Sequence, residues 1–147
     1  MSNQKIKFIF MAAVLCLAGV TAASAQFNFG SKLKVNIPSE FVIGDKQFPA
    51  GDYTISPTPS TTDSSSTLIL RGENRSMIFT MMPNELANAA TDTQLVFTVV
   101  DGTPFLSKIL IKGETTGGEV PMGKMEKRMI AANKHADQMV IGAGSSY

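Results

Sequence analysis

His135 is the single histidine of this 147-residue chain, so any acid–base chemistry built on an imidazole would have to pass through it. A nucleophilic site of that kind needs a serine and an acid converging on the ring. Asp137 lies two positions on, but the sequence holds no G-x-S-x-G elbow. The expectation is a surface histidine and a non-enzymatic protein. Metal chemistry has equally little material. The single cysteine, Cys16, excludes an internal disulfide framework and any zinc or iron–sulfur site built from cysteines. The carboxylates are scattered. Asp63 sits in a Ser/Thr run without the alternating oxygen ligands of a calcium loop. No cofactor and no metal are expected.

Two motifs imitate chemistry. Gly118 to Lys124 (GEVPMGK) matches G-x-x-x-x-G-K, but Met125 follows where a phosphate loop needs Ser or Thr to hold Mg²⁺. No nucleotide is expected there. Asn74-Arg75-Ser76 matches a glycosylation sequon but is expected to be just a hairpin turn. The mature-chain methionines, Met77, Met81, Met82, Met122, Met125 and Met129 among them, suit irregular core filling or an adaptable binding surface.

One constellation remains. After Pro121, Met122, Met125, Met129, Ala132 and Ala136 recur at helical spacing, which predicts a helix over Gly123 to Ala136. Lys124, Lys127, Arg128, Lys134 and His135 fall on one flank of that stripe, with Glu126 on the far side. A basic flank beside methionines suits an anionic surface, either lipid headgroups or an acidic polymer. The competing expectation is that the stripe packs on the protein's own core and the cations are merely solvated. The candidate contact residues are Lys124, Lys127, Arg128 and Lys134.

The N-terminus addresses the chain for export. Lys5 and Lys7 precede an apolar run of 13 residues, Phe8 to Val20, and Ala23-Ser24-Ala25 follows as an A-x-A cleavage site. The run is short of the roughly 20 residues that span a bilayer. Cys16 lies inside the run rather than after it, so lipidation is not expected. Residues 1–25 therefore read as a signal peptide, 26–141 as one β-rich domain and 142–147 as a flexible tail. The formal net charge of +1 argues against a nucleic-acid partner, which would call for a strongly basic face.

The elements that must position these residues read mainly as strands. Lys32 to Ile37 alternates strictly and stops at Pro38. Gly44-Asp45 suits a two-residue hairpin turn that sets Phe41 opposite Phe48. Tyr53 to Ser56 follows a Pro49-Ala50-Gly51 turn, and Pro57 to Ser66 is a solvated loop. The Gly72–Arg75 turn pairs Leu70 with Met77 and Leu68 with Phe79. Pro83 to Thr93 reads as loop or a short helical turn. Leu95 to Val100 and Thr103 to Lys112 flank Asp101-Gly102, the strongest hairpin signal in the chain. Gly113 to Gly118 reads as a flexible loop and Met139 to Ile141 as a last short strand. The sum is a small antiparallel β-sandwich or barrel of about eight short strands with one C-terminal helix.

The stretch Val35 to Ile55 (VNIPSEFVIGDKQFPAGDYTI) resembles a group of small secreted bacterial β-proteins of uncharacterised function. Their motif runs V-x-I-P-x-x-F-x-x-G-x-K-x-x-P-A-G-x-Y. The group prefers an aromatic where Ser39 stands, and the chain departs from it there and in the Ser/Thr-rich loop. The resemblance implies an exported β-protein and carries no catalytic residues. The expected function is therefore binding or structural association in the periplasm or outside the cell. A small outer-membrane β-barrel is the alternative, and a hydrolase with an unrecognised site ranks third.

Overall fold

Alternation in Lys32–Ile37 (β1) turns Leu33, Val35 and Ile37 inward and leaves Lys32, Lys34 and Asn36 exposed, as the period of two requires. The computed structural model describes residues 29–30, 32–59, 66–132 and 135–146. The expected signal peptide (residues 1–25), most of the Ser/Thr-rich loop and Lys134 lie outside the described residues. Phe41–Ile43 (β2) and Lys46–Phe48 (β3) form the expected hairpin, with Phe41 opposite Phe48. Gly51–Pro57 (β4) runs antiparallel to β1. Thr67–Arg71 (β5) and Ser76–Thr80 (β6) pair Leu68 with Phe79 and Leu70 with Met77, the register that the turn length predicts.

Met82–Glu85 (β7) follows at once. Gln94–Val100 (β8) and Thr103–Leu110 (β9) fold back around Asp101-Gly102, whose φ values of 50° and 76° are those of a primed turn. Thr116–Glu119 (β10), the helix Lys124–Ala132 (α1), Ala136–Gly142 (β11) and Gly144–Ser146 (β12) complete the chain order.

Two sheets result. One has the order β12-β1-β4-β5-β6, and the other β11-β8-β9-β10-β7, with the β2–β3 hairpin attached to β9 through β2. The chain crosses between sheets through buried Met81 from β6 to β7, and through Ala143 from β11 to β12. Consecutive strands thus bridge both flanks, and the sheets stack without closing into a barrel. Of the two architectures that the pattern allows, the molecule is the sandwich.

The core lies between the sheets. Leu33, Ile55, Leu68 and Leu70 from one meet Leu95, Phe97 and Ile109 from the other, all without solvent exposure. Phe41 is the hub. Its ring stacks on Phe48 at 5.4 Å and meets Tyr53 and Phe97 edge-on at 5.1 and 5.8 Å. Such offset and T-shaped pairs are favoured by the ring quadrupoles. The apolar faces point inward and Lys32, Lys34 and Arg71 point out. A lipid-embedded barrel needs the opposite polarity on its outer surface.

Several boundaries move. The helix ends at Ala132 rather than Ala136, and residues from Ala136 become β11, which pairs with β8 over its whole length. The 142–147 segment is not wholly a tail, since Gly144–Ser146 pairs with Lys32–Lys34 of β1. Part of the expected 83–93 loop is β7, and Thr116–Glu119 inside the expected flexible loop is β10. Neither β7 (MPNE) nor β10 (TGGE) carries an alternating pattern. Each is ordered by its partners: Gly118 lies opposite Pro83 on one side and Ile109 on the other. The described chain therefore holds twelve strands where the pattern predicts about eight.

Candidate functional site

Helix α1 is started by residues far away in sequence. The Asp45 carboxylate, at the β2–β3 turn, accepts the Met125 N–H at 3.0 Å across 80 positions. It does the work of an N-cap, satisfying one of the amides that a helix start leaves open. Gly123 sits directly on the same turn. A Cβ there would lie 2.1 Å from the Gly44 carbonyl oxygen. Backbone cannot swing aside as a flexible side chain can. Gly123→Ala is therefore expected to destabilise by about 1–3 kcal/mol and to weaken helical circular dichroism. An unchanged thermal melt would show that the helix start is not seated on that turn.

Met129 and Ile130 pack α1 against Val42, Val100 and Phe105. Glu126 shares that face at helical spacing and is 3% exposed. This reverses the expected phase. The methionine stripe should have faced the core with Glu126 on the far side. Instead Met122 and Met125 are 48% and 40% exposed and Glu126 is buried. The reason is length and anchoring. Met122 precedes the helix and Ala136 has left it, so Asp45, Gly123 and the short β2–β9 cluster set the rotation.

The Glu126 Oε1 atom has no hydrogen-bond partner among the described residues. A buried carboxylate without a partner is costly. Burial accordingly pushes the Glu126 carboxyl above its ordinary range, toward the neutral acid.

The outward face holds Lys124, Met125, Lys127 and Arg128, all exposed. With Glu126 turned inward, no acid of the helix offsets those three cations on the surface. Lys134 lies outside the described residues. His135 is exposed at the step into β11, beside exposed Asp137, and no hydrogen bond joins them. Among the described residues no group of three His, Cys, Asp or Glu side chains is placed to hold a metal. The phosphate-loop imitation is broken up by the fold. Gly118 belongs to a paired strand, and the Val120 N–H donates to the Ser107 carbonyl at 2.8 Å.

The sequence reasoning missed Glu126 and Asp45. The i, i+3, i+4 set Glu126, Met129 and Ile130 was visible in the sequence, but an acid is a poor guess for a buried position. Comparison of the chain with protein-family models, curated proteins and solved structures found no match in any of the three.

Proposed function

We propose that this protein is a non-enzymatic, exported β-sandwich, periplasmic or secreted, that works by docking α1 onto an anionic lipid surface. The observation that carries this reading is the outward pairing of methionines with cations. Met122 and Met125 stand exposed beside Lys124, Lys127 and Arg128, while Glu126 is withdrawn. Exposed apolar side chains flanked by cations suit the headgroup boundary, where the charges meet phosphates and the methionines enter the upper acyl region. The signal-peptide layout of residues 1–25 and the resemblance to small secreted proteins support the exported location.

The test uses mature protein and vesicles of phosphatidylglycerol mixed with phosphatidylcholine. Binding is expected at low salt and release at high salt, because such attractions act within a Debye length. Each cation near an anionic surface contributes about 1 kcal/mol. Reversing Lys124, Lys127 and Arg128 to Glu is therefore expected to weaken vesicle binding by about a hundredfold or more, with the thermal melt nearly unchanged. Binding to an acidic polysaccharide but not to vesicles would reassign the surface to a polymer. Indifference to the triple reversal would remove α1 from the function. Intact mass of the exported protein should begin at Gln26. Retention of residues 1–25 would defeat the export reading.

A further inference from the structure

A cleft between β3 and the β5–β6 turn has no role in the helix reading. Lys46, Gln47 and Phe48 of β3 form one wall, and Asn74, Arg75 and Ser76 form the other. Its volume is about 470 Å³ and it is open to solvent, with Lys46, Gln47, Asn74, Arg75 and Ser76 all exposed. A second hollow of about 260 Å³ shares Asn74 and Arg75 and runs along Pro49 to Tyr53, with the carboxylates of Asp52 and Glu73 on its own lining. That run is the P-A-G-x-Y part of the motif noted in the sequence.

Arg75 stands between the two lobes and is held at both ends. Its carbonyl accepts the Gly72 N–H at 2.8 Å, closing the β5–β6 turn. Its Nη1 donates to the Gln47 carbonyl at 2.9 Å, tying the two hairpins together. A guanidinium has five N–H donors in a planar fork, so this bond leaves most of them for another acceptor. The charge also reaches the second lobe. Burial pushes the Tyr53 phenol above its ordinary value, and the Arg75 charge acts in the opposite direction. The Tyr53 hydroxyl donates to the Pro49 carbonyl at 2.7 Å and fixes that wall. Among the described residues, the larger lobe is lined by two cations and three neutral polar side chains, with no carboxylate. The Gln47 amide, on the same wall, donates to the Glu40 carboxylate.

We propose that this cleft binds a small anionic group, a carboxylate or a phosphate, in the fork of Arg75, with Lys46 as the second cation. Asn74 and Ser76 supply neutral donors at the rim. Pre-anchored arginine suits this task, because a planar fork meets two anion oxygens at once. The site does not rest on α1 and would stand if the helix had no function.

The experiment is a titration of the mature protein followed by amide and arginine side-chain NMR. The probes are inorganic phosphate, glucuronate and phosphatidylglycerol vesicles. Saturable shifts are expected at Gln47, Asn74, Arg75 and Ser76 in the millimolar range typical of weak sites. Arg75→Gln should weaken binding by about tenfold or more, and Lys46→Gln should weaken it with an unchanged melt. The Lys124, Lys127 and Arg128 reversal should leave the phosphate and glucuronate titrations as they were. Response to both free anions assigns a soluble ligand, and response to vesicles alone, still lost in Arg75→Gln, assigns a lipid headgroup. Should Arg75→Gln fail to fold, Lys46→Gln decides alone. The proposal is overturned by the absence of shifts at those four residues with all three probes, by equal shifts at Lys124 and Lys127 with the free anions, or by binding of the free anions that survives Lys46→Gln undiminished.

Discussion

Phe41→Ala is expected to lower the stability of the domain by about 3–5 kcal/mol. Phe41 has no exposed surface and lies on β2, yet its ring touches Phe48 and Phe97 in its own sheet and Tyr53 in the other. Truncation would remove the transfer free energy of the ring and leave a cavity that three neighbouring rings cannot fill without leaving their rotamers. Loss of the T-shaped and stacked pairs adds about 0.5–1.5 kcal/mol per pair to the burial term. A small domain has only about 5–15 kcal/mol in total, so the variant should sit near its unfolding midpoint at mild urea. Thr80→Ala, on an exposed position of edge strand β6, should stay within about 0.5 kcal/mol. Equal urea midpoints for the two variants would place the inter-sheet core elsewhere.

The pH dependence should run against the usual direction for a carboxyl group. Most carboxylates in folded proteins are paired and add stability as pH rises. Glu126 is buried without a partner for Oε1, and its folded-state acidity is shifted upward from the ordinary value of 4.5. Between the ordinary value and the raised one, the folded state holds a proton that the unfolded state has lost. Stability is then complete below about pH 4.5 and falls as pH rises through the folded value, by at most about 1.4 kcal/mol per pH unit. Asp45, at the helix start, cannot relieve this, because it is itself an acid engaged with the Met125 amide. The cations of α1 point to solvent. Glu126→Gln should flatten this part of the pH profile. Glu126→Met, of similar length and with no group to desolvate, should raise stability at neutral pH by about 1–3 kcal/mol. Urea melts across pH 4 to 8 give the answer. Parallel profiles for the unmodified protein and Glu126→Gln would mean that the carboxyl is solvated.

Much of the sandwich was legible in the sequence because its signals are local. The alternation of KLKVNI assigns each side chain of β1 to a face before any partner is known. Turns of fixed length do the same for pairs of strands. Asp101-Gly102 and the four-residue turn at Gly72–Arg75 each set a register that the structure keeps. Where the pattern is absent, the reading failed. TGGE has no apolar side chain to mark a face, yet it is buried because β7 and β9 enclose it. Gly144–Ser146 likewise has no pattern of its own and is ordered by the free edge of β1.

The basic composition of α1 belonged to the sequence alone, since Lys124, Lys127 and Arg128 are three of only nine helical residues. Which way the helix turns did not. Periodicity can say that two residues share a face, but a helix this short offers two apolar stripes of nearly equal merit. The choice between Met122-Met125-Met129 and Glu126-Met129-Ile130 was made by the Asp45 cap and by Gly123 pressed on the Gly44 carbonyl. Both contacts span about eighty positions, and no window of sequence contains them. Local chemistry thus determined strands, turns and charge. Only tertiary packing decided to bury the one acid of the helix and leave Met125 beside its cations in water, because the contact that sets the rotation comes from a turn eighty positions away.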